Sequence, residues 1–206
     1  MIWALALAVI AGDVVGVLIF RHVQRLGHRL PDEARRSRPS VWWLAFLGPV
    51  WGLLVWRLAS EPWPLLVLWL PLSAALAWLA AVDQDVSRLP DRLLTGTAAW
   101  TGVSILLRMW ITGPSVGIEA VLAALLSAGG FAVIHFVGRG ERGFGDIKLA
   151  AIIGAAAVTV SWPTAFYALV GACVLALAWG AARRDATFAF GPWLAVGAVL
   201  AVGLAR

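Results

Sequence analysis

Apolar runs close to twenty residues long recur along the whole chain, and they restrict its fold more than any other feature. A helix needs about 20 mostly apolar residues to cross the hydrocarbon layer of a bilayer, somewhat fewer when flanking residues help. About eight runs meet that measure: Ile2 to Phe20, Val41 to Leu58, Pro64 to Val82, Leu93 to Ile111, Val116 to Val137, a sixth starting near Asp146, a seventh ending near Ala182, and an eighth from about Phe190 to Leu204. The fold predicted is all-α, a polytopic integral membrane helical bundle of about eight transmembrane helices. Residues 1–206 form a single membrane domain, with an N-terminal two-helix part over 1–62 and a six-helix core over 63–206. Charged residues make up only 13% of the chain, about half the share of a soluble domain. The outer surface therefore meets the lipid bilayer, and the interior is helix packed on helix. Met1-Ile2-Trp3-Ala4 puts no basic leader before the first run, and arginines follow it, the pattern of a spanning helix rather than a cleaved signal peptide.

A net charge of +5 would suit nucleic acid, but the placement of the charge excludes that partner. The basic residues sit in the short gaps between apolar runs, as topology determinants do. With the N-terminus outside, thirteen of the sixteen fall on the cytoplasmic side and only Arg57, Arg108 and Arg206 on the other. The loop Arg21 to Ser40, with six arginines, is then a cytoplasmic anchor. Trp42, Trp43, Trp56, Trp63, Trp110 and Trp162 fall near run ends, as an interfacial belt requires. Trp51, Trp69, Trp78 and Trp100 fall inside runs and read as packing.

Few acids lie close to the apolar runs, and those few are informative, because an ionisable group in a membrane segment usually marks a working site. Asp13 stands in the first run beside Gly12 and Gly16, whose spacing suits close helix contact, and it reads as an acid turned inward to a hydrogen-bond partner. Asp83 ends the third run, at the head of a loop from Asp83 to Asp91. Asp146 begins the sixth, in Gly143-Phe144-Gly145-Asp146-Ile147-Lys148. Gly143 and Gly145 permit backbone angles that a side chain forbids, so the chain there is free to unwind beside the acid. The plainer reading is a helix start with Asp146 near its positive end. Asp83 and Asp146 are 63 positions apart, yet the alternation of runs puts both at the cytoplasmic edge. Two carboxyls in contact there would share one proton. The ionised one takes a proton from water while the protonated one polarises a carbonyl.

The pattern resembles the type IV prepilin peptidases, membrane aspartic proteases of the G-x-G-D class. Asp83 followed by Leu89-Pro90-Asp91 is similar to the family's first aspartate element, and Gly143 to Leu149 to its second. Phe190-Gly191-Pro192-Trp193 is similar to the stretch opening its last helix. The resemblance implies catalytic Asp83 and Asp146, supported by Gly143, Gly145, Lys148, Pro90 and Asp91, within a peptidase core over 63–206. It implies prepilin or pseudopilin precursors as substrates, cut behind a short basic leader at the cytoplasmic face of the cell membrane. No cofactor and no metal is implied. Asp85 and Asp91 either steer the basic leader or are solvated loop acids, and the second reading is preferred. Lys148 either holds Asp146 charged, touches the substrate, or is an interface lysine whose stem snorkels.

The chain departs from many members in its first cytoplasmic loop, where Arg21 to Ser40 lacks their paired cysteines. Thiolate zinc sites need sulfur at fixed spacing, and the only cysteine, Cys173, lies in an apolar run and reads as packing. His22 and His28 with Asp32 or Glu33 make only an improvised alternative. Peptidase activity without N-methyl transfer is the reading that follows. The competing class is a transporter, or a pilus or secretion assembly component, using the same aspartates for protons or cations. A transporter would place them nearer mid-membrane.

Overall fold

The computed structural model describes residues 1–29, 41–137, 143–183 and 189–205. Eight α-helices follow one another among them: α1 (Ile2–Gln24), α2 (Leu47–Leu58), α3 (Pro64–Val86), α4 (Asp91–Thr112), α5 (Ser115–Val137), α6 (Phe144–Val158), α7 (Trp162–Arg183) and α8 (Gly191–Leu204). The breaks fall where the residues demand them. Pro64 opens α3, and Gly191-Pro192 opens α8, at first-turn positions that need no N–H donor. Gly113, at φ 106°, ends α4 in a conformation that other residues avoid.

Two expected boundaries move. Val41 to Leu58 is not one α-helix: Trp42–Phe46 winds as a 3-10 helix before α2 begins. Pro49 has no N–H with which to carry an i to i−4 ladder back into that stretch. The third helix also runs past Val82 to Val86, so Asp83 and Asp85 stand on its last turns rather than in a loop.

α3 is the axis of the molecule. It carries Pro71 in its interior, which leaves the Val67 carbonyl without its helical donor. The Trp100 indole N–H of α4 donates to that oxygen at 3.2 Å, so Trp100 repairs a broken ladder as well as packing. Trp69 is fully buried, and Trp51 donates to the Ser73 hydroxyl at 3.0 Å. α6 forms the second buried element, with Leu149, Ala150, Ile153, Ala156 and Ala157 almost wholly enclosed. Leu194, Ala198 and Val202 of α8 join the same core.

Four helices, α1, α3, α5 and the Trp162–Ala182 part of α7, are long and apolar enough to cross a membrane. Of their apolar windows α3 buries 61% and the other three only 22%, which makes α3 central and the others peripheral. Leu7 and Ile10 on α1, Val121 and Leu125 on α5, and Phe166 and Val174 on α7 face outward. In water such a surface would drive association; in lipid it has no such penalty. The protein is a multi-pass helical membrane protein by these measures.

α1 docks on the 3-10 helix and α2 through its glycines. A methyl on Gly12 would come 2.7 Å from the Gly48 Cα, and one on Gly16 would run into the Leu44 carbonyl. The approach lets Asp13 Oδ1 accept the Gly48 N–H at 3.0 Å. Asp13 is thus turned inward to a hydrogen-bond partner, as its position implied. Gly16→Ala is expected to destabilise the protein by about 1–3 kcal/mol, whereas Gly102→Ala on α4, with open space around it, is expected to be neutral or slightly stabilising. Unfolding midpoints of the two variants in detergent check the contrast.

Candidate active site

Asp83 lies one turn before the end of α3, and its side of the helix faces the start of α8. Ser87 terminates α3 in the left-handed conformation at φ 53°, its N–H donating to the Asp83 carbonyl at 2.8 Å. Asp83 is 5% exposed. Its Oδ2 accepts the Gly191 backbone N–H at 2.8 Å, so a carboxyl from α3 caps α8 across 108 residues. A helix N-terminus offers unpaired N–H groups and a positive dipole end, and carboxylates suit it. Gly191 is required by space rather than by torsion: a methyl there would meet Asp83 Oδ2 at 2.9 Å and Cβ at 3.2 Å.

Asp146 stands in the first turn of α6 and is 7% exposed. Its N–H donates to the Gly143 carbonyl at 3.1 Å, and Gly143 caps the helix in an extended conformation, φ −67° and ψ 143°, open to any residue. The glycines therefore do not unwind the chain, contrary to expectation. Gly145 serves close approach, since a methyl on it would come 2.8 Å from Leu89 Cβ. Leu89 precedes Pro90, which caps α4 and accepts the Leu93 and Leu94 amides at 3.1 Å. The Leu-Pro-Asp and Gly-x-Gly-Asp elements are thus packed against each other.

Together these elements enclose a cavity of about 230 Å³, lined by Asp83, Ser87, Arg88, Leu89, Asp91, Gly143, Phe144, Gly145, Asp146 and Lys148. The two aspartates so far apart in sequence open into one space, with the start of α6 under one and the start of α8 against the other. All seven residues singled out as catalytic or supporting lie in or beside it. Lys148 does not lean on Asp146: its Nζ pairs with Asp91 Oδ1 at 2.5 Å, and the side chains are 46% and 77% exposed. Such an open pair adds little stability, but it bridges α4 and α6 across the mouth.

Asp85 overturns its expected role as a solvated loop acid. Its side chain is 3% exposed, with Arg29 and His28 on it, because α3 continues past it and the turn after α1 folds over that face. His28 is therefore engaged at Asp85, and His22 lies edge-on to Trp78 at 4.9 Å. Asp32 and Glu33, the other members of the improvised metal site, lie outside the described residues.

With this geometry in hand, comparison with known proteins is decisive. A sequence profile of the type IV leader peptidase family matches residues 70–181. The chain belongs to that family. A prepilin leader peptidase/N-methyltransferase from Pectobacterium carotovorum subsp. carotovorum is 33% identical over 162 residues, covering 76% of this chain and 55% of that protein. The chain thus spans about half the length of this curated relative. No solved structure matches. The matched leader-peptidase segment contains both aspartates and stops short of Gly191.

Several residues around this cavity have no role that the sequence alone assigns. Gly191 was visible only as a motif letter, and nothing local told that its N–H reaches Asp83. Phe131 and His135, one turn apart on α5, meet Phe190 edge-on at 5.7 Å and Phe144 at 6.3 Å. They brace the residues beside Gly191 and Gly145, and an i, i+4 aromatic pair was the available signal. Gly191→Ala is expected to destabilise the protein by about 1–3 kcal/mol. In an Asp83→Ala background the penalty should fall by half or more, because the methyl then has room. A double-mutant cycle of unfolding in detergent measures this coupling.

Proposed function

We propose that this protein is an aspartic endopeptidase of the membrane that removes the short basic leader of prepilin or pseudopilin precursors, with Asp83 and Asp146 as the cleaving pair. One observation carries the reading: two buried carboxyls, one from the end of α3 and one from the start of α6, open into the same 230 Å³ cavity. Family membership supplies the reaction class, and the prepilin leader peptidase of Pectobacterium carotovorum to which the chain is similar supplies the prepilin leader.

The chemistry needs one proton on the pair. The ionised carboxylate takes a proton from a water held between the two, and the oxygen attacks the scissile carbonyl carbon. The protonated partner donates to the carbonyl oxygen. Collapse of the tetrahedral adduct breaks the C–N bond, with the proton returned to the departing amine. Asp91 and Lys148 stand at the mouth, where the polar leader would enter, and Gly145 lets the first turn of α6 sit close to Leu89.

In this reading the eight helices cross with the N-terminus outside, as the charge distribution requires, and the cavity opens to the cytoplasm. α6 and α8, with 15 and 14 residues, reach only about 22 and 21 Å. Short helices beginning at the cavity would set the acids below headgroup level. The loop without cysteines supports peptidase action without methyl transfer.

Co-expression with a prepilin tests the reading. Wild type should remove the leader, while Asp83→Ala and Asp146→Ala should each reduce processing to background at normal protein levels. No processing by wild type would favour a transporter or assembly role and end this proposal. Activity against pH should be bell-shaped, falling at low pH when both carboxyls are protonated and at high pH when both are ionised. A flat profile across the carboxylate range would contradict the shared proton.

A further inference from the structure

The last turns of α3 carry more charge than the cavity uses. Asp85 lies two residues beyond Asp83, about 200° around the helix, and so points away from the cavity. A buried carboxylate is unfavourable unless well paired, and here the pairing is thorough. Arg29 donates through Nε to Oδ2 at 2.8 Å and through Nη2 to Oδ1 at 2.7 Å, a two-pronged contact. His28 Nε2 lies 2.7 Å from Oδ2. The Arg29 and His28 side chains are 2% and 8% exposed. Both belong to the turn that follows α1, more than fifty residues away in sequence. That turn makes a further contact: Arg88 Nη2 donates to the His28 carbonyl at 3.0 Å, and Arg88 lines the cavity with Asp83 and Asp146. The turn therefore grips α3 on both sides of Ser87, where the helix ends.

We propose that the His28–Arg29 turn is a positioning element of the peptidase site, holding Asp85 and Arg88 so that the end of α3 presents the Asp83 carboxyl to the Gly191 N–H. The proposal rests on the reading of Asp83 and Asp146 as the cleaving pair. Helix ends lack intrahelical partners for their last carbonyls and fray, and here the helix stops three residues beyond the acid. Without the grip, the last turn is free to unwind toward Ser87 and carry Asp83 with it. A displacement of about 1 Å between reacting groups lowers a rate roughly 10²-fold. The planar guanidinium matches both oxygens of Asp85, which an ammonium does not. His28, Arg29 and Asp85 touch no substrate; they act through Asp83 and Arg88.

The test is cleavage of a prepilin by the purified full chain, with kcat and KM measured for wild type, Arg29→Ala, Arg29→Lys and Asp85→Asn. Arg29→Ala should lower kcat roughly 10²-fold with KM within about threefold, the pattern of lost transition-state geometry. Arg29→Lys and Asp85→Asn, which keep part of the contact, should lose less. A kcat within about twofold of wild type in Arg29→Ala, or a loss confined to KM, overturns the proposal. Hydrogen exchange on unmodified protein covers the case in which the variants do not fold. Amides of 26–29 and 83–88 should open as one cooperative unit, and faster opening of 26–29 by about tenfold or more would overturn the grip. Wild type that does not cut overturns both readings; wild type that cuts beside undiminished variants overturns only this one.

Discussion

The hydrogen bond from the Gly191 N–H to the Asp83 carboxyl joins the parts of this molecule that matter for its site. It ties the end of α3 to the start of α8, two segments with no local reason to meet. It also explains the emptiness at Gly191, because any side chain there would occupy the carboxyl's place. Asp146 stands at the start of α6 in the same cavity. Two helix N-termini therefore turn their positive dipole ends toward a place that holds two acids. Burial penalises charge there and the helix ends favour it. That balance is what a pair sharing one proton would use.

Close approach, more than hydrophobic burial, decides how the helices are arranged around that point. Between helices in lipid, apolar side chains gain nothing from contact that the lipid does not already offer. The tight contacts accordingly fall where side chains are missing: Gly12 and Gly16 against the 3-10 helix and α2, Gly145 against Leu89, Gly191 against Asp83. At Gly12, Gly16 and Gly191 the approach brings a polar or backbone group within reach of another. Asp13 reaches Gly48 and Asp83 reaches Gly191 by the same device. The charged grip of Arg29 and His28 on Asp85 adds a third tie to α3, on the face the cavity does not use.

Much of this was legible in the chain. Twenty-residue apolar runs separated by prolines, glycines and arginines located all eight helices, since the period and length of such runs have few other interpretations. Asp83 and Asp146 were visible because acids beside apolar runs are rare. Asp85 was misjudged for a local reason: with Val82 taken as the helix end, an acid three residues later looks solvated. Gly143 and Gly145 were misjudged because glycine's freedom is a property of the residue; Gly143 is open to any residue, and at Gly145 what matters is the lack of bulk beside a neighbour. Leu89, the neighbour in question, is more than fifty positions away.

The sequence by itself determined the material and most of the punctuation: an all-helical membrane chain, roughly where its helices lie, and which acids are conspicuous. These are local or compositional properties, set by transfer free energies and by the backbone limits of proline and glycine. Only the tertiary structure decided that α8 would be capped by an acid from α3, that Leu89 would need Gly145 to be bare, that Lys148 would pair with Asp91, and that the turn after α1 would bury Asp85. Each of those is a contact between segments remote in sequence, and no local preference encodes the partner. The fold supplies it by bringing two surfaces to a separation at which only one arrangement of side chains fits.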